Sequence, residues 1–161
     1  MRGLGLVLTC LLGLLLGGCG YHLRGGSQLL PPELSRLQLI GDERSDLYRA
    51  VALRLRRANV QLVTADESAA VLTLGDISVR NEAASVDSRS QVVEYLMLFN
   101  THCTLTVPNH EPQQFNASFN RSFLNKANQA LASSREQEQL KDEMLEQTAD
   151  QILIQLSRLK F

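Results

Sequence analysis

A chain of 161 residues, 44% hydrophobic and 20% charged, is long enough to bury a core of its own and too apolar to be mostly disordered. Its 16 Lys and Arg face 17 Asp and Glu, and a net charge of −1 excludes a general polyanion binder that works by non-specific phosphate attraction. Cysteines at positions 10, 19 and 103 are too few and too scattered for a disulfide framework or a structural zinc site.

Half of the ten glycines precede residue 19, so the composition mixes two different objects. Residues 1–18 have one charge, Arg2, then an apolar stretch from Leu4 to Leu16, then Gly17 and Gly18. That is the layout of a cleaved leader, and its apolar run of 13 residues is shorter than the ~20 that span a bilayer. Leu16-Gly17-Gly18-Cys19 resembles a bacterial lipobox. The resemblance implies cleavage before Cys19, with an S-diacylglycerol on its sulfur and an N-acyl chain on its new amino terminus. At about 0.8 kcal/mol per buried CH₂, two or three such chains anchor a protein to a membrane where one does not. Gly20 follows the cysteine where many inner-membrane lipoproteins carry Asp, which implies the outer membrane, with the domain on the periplasmic side. Without the leader, 15 basic residues face 17 acidic ones and the charge becomes −2.

Residues 19–35 combine glycines with Pro31-Pro32 and read as a lipidated N-terminus and tether, leaving 36–161 as a single α+β domain. Leu37 to Ile40 form a short strand, ended by Gly41-Asp42. Over 45–59, Leu47, Val51, Leu55 and Ala58 recur at helical spacing behind Ser45 as N-cap, with Arg56 and Arg57 at the negative end of the helix dipole. Strand patterning then fills 71–86, where the inward parity shifts at Gly75, the mark of a β-bulge. After the polar turn Asp87-Ser88-Arg89-Ser90, residues 91–107 place Val93, Tyr95, Met97, Phe99, Cys103, Leu105 and Val107 on one face, and two apolar residues, Leu96 and Leu98, on the other.

Each arm of this ribbon is about 50 Å long at 3.3 Å per residue, more than twice the ~22 Å of the helix before it. Part of the hairpin therefore either overhangs its core or is covered by the second helix. The tip 87–90 and the pair Leu96/Leu98 are candidate partner contacts. Phe115, Ala117, Phe119 and Phe123 share one parity of a last strand, interrupted by Arg121. From 133 onward, Leu140, Met144, Leu145, Thr148, Ala149, Ile152, Leu153, Leu156 and Leu159 trace the apolar stripe of a long helix, with Ser133 or Ser134 opening a capping box. The order β-α-β-β-β-α suits a two-layer sandwich, a four-stranded mixed sheet with two helices packed on one face.

No catalytic, metal-binding or phosphate-loop motif stands in this sequence, and the three histidines, at 22, 102 and 110, are scattered. Cys103, set among Thr101, Thr104, Leu105 and Val107, reads as a small buried hydrophobe. The carboxylates of the last helix read as a solvated face. For an anionic ligand the candidates are Arg80, Arg89, Arg121, Lys126 and Arg135, near strand ends and turns. These readings leave a lipoprotein that works by binding, not an enzyme.

Several stretches together resemble one family. Gly18-Cys19-Gly20-Tyr21-His22-Leu23-Arg24 is similar to the opening of mature LptE lipoproteins, and Val93-Glu94-Tyr95, Arg121-Ser122-Phe123, Ala130-Leu131-Ala132 and Glu136-Gln137-Glu138 are similar to later parts of that family. The resemblance implies a non-enzymatic partner of the outer-membrane β-barrel LptD, in a 1:1 complex. The domain would plug the barrel while the pair places lipopolysaccharide in the outer leaflet. It implies no cofactor beyond the lipid on Cys19, no metal and no nucleic acid. Lipopolysaccharide would be met by Arg89 in the turn and by Lys126 and Arg135 before or at the start of the last helix. Where the family carries a basic residue after Ala130-Leu131-Ala132, this chain has Ser133. The alternative is a lipoprotein module for another envelope ligand or protein.

Overall fold

The computed structural model describes residues 30–124 and 130–161, with the side chains of 130–133 left aside. Pro31 and Pro32 preset the backbone for a single 3₁₀ turn, Pro32–Leu34, in which the Leu34 amide donates to the Pro31 carbonyl at 2.9 Å. That turn drives Leu34 into the core, where it is fully buried, and Leu30 packs against the same cluster. Packing of the body thus begins ahead of residue 36.

Strand β1 (Arg36–Ile40) buries Leu37 and Leu39 on one face by simple alternation. Helix α1 (Asp46–Arg57) starts where Ser45 Oγ accepts the Tyr48 amide at 3.1 Å, and it buries Leu47, Ala50, Val51, Ala52 and Leu55. It ends through Asn59 at φ 62°, a left-handed residue that asparagine tolerates. The chain then adds a two-residue strand, β2 (Gln61–Leu62), parallel to β1. Asp66 organises the following loop by accepting the Ser68 hydroxyl and amide and pairing with Arg36. Strand β3 (Ala70–Leu74) then returns parallel to β1 on its other side.

The expected long second strand is two strands, β3 and β4 (Ser78–Val86), both antiparallel to β5 (Val92–Thr106). Between the pairs Leu74–Cys103 and Ser78–Asn100, three residues of one strand oppose two of the other. This one-residue excess lies at Gly75, where the parity shift in the sequence puts a bulge. The Gly75 amide donates to the His102 carbonyl at 2.8 Å, and the buried Thr101 hydroxyl donates to the Gly75 carbonyl at 2.8 Å. A Cβ on Gly75 would stand 2.9 Å from the His102 oxygen, so only glycine fits without a backbone shift.

Strand β6 (Gln113–Leu124) pairs with the other edge of β5 in unbroken register from Leu105–Gln113 to Glu94–Leu124. The sheet thus runs β2-β1-β3-β5, with β4 beside β5 beyond β3 and β6 along the opposite edge of β5. The mixed sheet is the one expected, with six strands in place of four because β2 is added and the second strand breaks at Gly75.

Helix α2 (Ala130–Arg158) begins earlier than its apolar stripe suggests, so Ser133 and Ser134 stand inside its first turns and not at the cap. Both helices lie on the same side of the sheet. The main core, which includes Leu34, Leu37, Val51, Leu55, Leu72, Cys103, Leu105, Ile152 and Leu156, lies beneath both of them. A smaller cluster of Met97, Phe99, Phe123 and Met144 lies beneath α2 alone, with Tyr95 stacked on Phe123 at 5.6 Å between ring centroids. Each fully buried Leu or Ile in these clusters contributes about 1.5–3 kcal/mol.

The two helices are joined across their surface by Arg54, whose guanidinium donates to Glu146 at 2.8 Å, to Asp150 and to the Glu146 carbonyl. Burial works against the charge on Arg54, but its bonds to Asp150 and Glu146 outweigh that and hold its pKa above the ordinary value. Glu146 and Asp150, expected in a purely solvated face, are therefore part of the interhelical contact.

Candidate functional site

Half of the long ribbon has no helix beneath it. α2 packs over β5 and β6, while every residue of β4 except Ser85 is exposed. The hairpin is thus partly covered and partly overhanging, along its length and across its width. At its tip the chain reverses through Asp87, whose carboxylate accepts the amides of Arg89 at 2.8 Å and Gln91 at 3.0 Å, with Ser90 at φ 61°. The tip is held by the Asp87 carboxylate together with its own backbone, which leaves Ser88, Arg89 and Ser90 exposed. Arg89 is 81% exposed and leans towards Asp87 at 3.7 Å, so its nearest carboxylate already belongs to the turn.

On the sheet face away from the helices, the β5 register sets Leu98 between Arg80 and Asn120, and Leu96 between Glu82 and Ser122. Both leucines belong to neither core cluster and are half-buried. Further along β6 the same face carries Gln114, Asn116, Ser118, Asn120 and Ser122, all exposed and uncharged, and ends at Leu124, 55% exposed. Leu124 is a member the sequence reading missed. Extending the alternation of β6 by one residue beyond Phe123 reveals it.

The arginines named for an anionic ligand do not converge. Arg80 lies on the outer face, opposite Leu98. Arg121 stands opposite Met97 with its guanidinium over the Phe119 ring at 5.5 Å, which places it on the helix side. Exposed Arg135 belongs to the early turns of α2, and its neighbour Ser134 lines a hollow with Asn81 and Met97. From Asn81 to the tip the strand runs about 17 Å further, so Arg135 and Arg89 stand at different heights of one end. Lys126 and Cys19 lie outside the described residues.

Cys103 is buried, and burial pushes its thiol up to about 12, so it packs as a hydrophobe and carries no thiolate at neutral pH. Among the described residues no group of three or more His, Cys, Asp or Glu is placed to hold a metal ion, and no helix is long and apolar enough to cross a membrane.

A family model described as "LptE: Lipopolysaccharide-assembly" matches residues 34–156, from the buried Leu34 to the buried Leu156. The chain belongs to the LptE family. It is 35% identical over 156 residues to the LPS-assembly lipoprotein LptE of Photorhabdus laumondii, covering 93% of this chain and 85% of that protein. It is 31% identical to the protein of the same name from Yersinia enterocolitica, covering 93% and 75%. Among solved structures, the rare lipoprotein B of Shewanella oneidensis superposes with a TM-score of 0.71 at 35% identity, over 76% of this chain and 93% of that one. A lipoprotein B of Nitrosomonas europaea, at 20% identity and a TM-score of 0.64, shares the fold. The LptE matches thus bracket the whole two-layer body, including the uncovered ribbon.

Proposed function

We propose that this LptE-family chain is a non-enzymatic outer-membrane lipoprotein, acylated at Cys19, that plugs and stabilises an LptD-type β-barrel in a 1:1 complex and helps assemble lipopolysaccharide into the outer leaflet. The observation that carries the reading is the outer face of β5 and β6. A sheet face on which Leu96, Leu98 and Leu124 adjoin the neutral amides and hydroxyls of β6, with Glu94 as its one acid on these two strands and Arg80 and Glu82 at its β4 edge, buries at moderate cost. Its polar groups can hydrogen-bond to a barrel wall or to trapped water, and few charges need be desolvated. A purely solvated face of an ordinary periplasmic domain needs none of those leucines. Names of the curated relatives, LPS-assembly lipoproteins, support the same reading.

Lipopolysaccharide is the anionic partner, and its phosphates would accept charge-assisted hydrogen bonds from Arg89, Lys126 and Arg135. The separation in height between Arg89 and Arg135 suits a large glycolipid touched at several points better than a small ligand held in one pocket.

Two experiments test the parts separately. After mild detergent extraction the tagged chain is expected to bring down a large β-barrel in equal stoichiometry, and Leu96→Asp with Leu98→Asp to abolish that recovery while the fold is kept. Recovery of some other envelope protein in place of a barrel would refute the plug reading. Arg89→Ala with Lys126→Ala and Arg135→Ala is expected to weaken lipopolysaccharide binding at least about tenfold, since each contact carries about 0.5–1 kcal/mol. Unchanged binding would refute the residue assignment.

A further inference from the structure

β4 ends the sheet on one side, and its outer edge is paired with no strand among the described residues. Such an edge presents a row of free amides and carbonyls, and proteins usually blunt it with charge, proline or a bulge. β4 does carry irregularities, but they fall between Ala83 and Val86, near the tip. The stretch Ser78–Ala83 keeps a regular register against β5, and its two charges, Arg80 and Glu82, stand on the face away from the helices, so its helix-side edge offers a straight template.

Beneath this stretch lies empty space. One hollow of about 430 Å³ extends from the Gly75 bulge and the start of α1 to Leu145 of α2, with Phe99 and Ile77 among its lining residues. A second hollow of about 430 Å³ follows α2 back towards Ser134, over Met97 and Asn81. Val79 and Lys141 line both, so the two form one groove under the overhanging strand. The same odd-numbered residues of β4, Val79 and Asn81, face into it, because they oppose Phe99 and Met97 in the ladder. The groove walls carry Asp42, Asp46, Asp76, Glu138 and Asp142 against one lysine, Lys141. Arg49 neutralises Asp46 only.

We propose that this groove receives an extended peptide segment of a partner protein, which adds as a further strand to Ser78–Ala83. Its inward side chains are apolar where they pass Val79 and Phe99, and one of them is Lys or Arg where it meets Asp76 and Asp142. Three independent features converge on that occupant. The free strand edge selects an extended backbone, the hollow beneath it selects apolar side chains at every second position, and the carboxylates select a cation among them. An acyl chain would use the apolar floor but none of the edge groups, and an anionic headgroup would be repelled by the walls. This inference stands apart from the barrel reading and does not depend on it.

The probe is a capped nonapeptide of alternating valine and threonine in which lysine replaces one central valine, titrated into the full lipidated chain in detergent micelles. Backbone amide shifts are expected to saturate and to be confined to residues 75–83 and 134–145. The counterpart with glutamate for lysine is expected to bind about tenfold more weakly, and Asp76→Asn with Asp142→Asn to remove that preference. Val79→Asp, at a position already 40% exposed, is expected to abolish binding without unfolding the chain. No saturable shift, shifts along β6, or equal binding of the two peptides would overturn the proposal. Shifts at 78–83 that follow protein concentration in the absence of peptide would also overturn it, because the occupant would then be a second copy of the chain.

Discussion

Replacing Gly75 by alanine tests whether the bulge sets the geometry of the ribbon. The added Cβ would lie 2.9 Å from the His102 carbonyl oxygen, about half an ångström inside ordinary contact, which starts at 3.4 Å. That oxygen cannot swing aside, since it is backbone in the middle of β5 and already accepts the Gly75 amide at 2.8 Å. Relief requires the β3–β5 ladder to open, which also stretches the Thr101 hydroxyl bond to the Gly75 carbonyl. Overpacking of this kind costs about 1–3 kcal/mol. No glycine among the described residues has positive φ, so alanine adds no left-handed strain and recovers about 0.4–1 kcal/mol through the unfolded chain. The expected net loss is about 1–2 kcal/mol, or about 1 M in the urea midpoint at an m-value of ~1.5 kcal/mol/M. Gly41→Ala is the milder comparison, because the added Cβ would meet the Leu74 Cβ and carbonyl oxygen at 3.3 Å, only about 0.1 Å inside ordinary contact, and its expected change is under about 0.5 kcal/mol. An unchanged or raised midpoint for Gly75→Ala would show that the bulge is not sterically enforced.

Arg54→Ala removes the bond between the helices and is expected to cost about 1–2 kcal/mol by denaturant titration, because the arginine side chain is only 14% exposed while Glu146 and Asp150 rehydrate once it is gone. Arg49→Ala, which breaks a fully surface pair with Asp46, is expected to cost under about 0.5 kcal/mol. Leu34→Ala is expected to cost about 2–4 kcal/mol, and a similar loss on deleting the Pro32–Leu34 turn would confirm that the domain begins before β1. Cys103 is expected to resist maleimide at pH 8 in the folded chain and to react on unfolding. Its thiol is held protonated up to about 12 against an ordinary 9.0, so its contribution to stability is complete below about pH 9 and is lost as pH rises towards 12.

Local signals carried far in this chain because they were redundant. Alternation over β5 and β6 outweighs its exceptions at Leu96, Leu98 and Arg121, the Ser45 cap and the stripe of α2 are local signals without a rival, and the parity shift at Gly75 marks the bulge without reference to a partner strand. The start of α2 was misplaced because Ser133 and Ser134 look like caps by composition, whereas a cap depends on where the backbone leaves the helix. Glu146 and Asp150 were misread for a similar reason. Nothing on their own helix indicates that Arg54, more than ninety positions earlier in the chain, packs opposite them.

By itself the sequence determined the type and order of the main elements, and through its lipobox-like cysteine and scattered motifs it pointed to the family. Periodicity and covalent motifs are local, and a single chain carries them in full. Only the tertiary structure decided which surfaces are left over. Whether Leu96 and Leu98 join the core or face outward, whether the arginines converge, and whether β4 overhangs a groove all depend on where α2 comes to rest across the sheet. That position follows from the summed packing of Met144, Ile152 and Leu156 against strands distant in the chain, a sum that no local window contains.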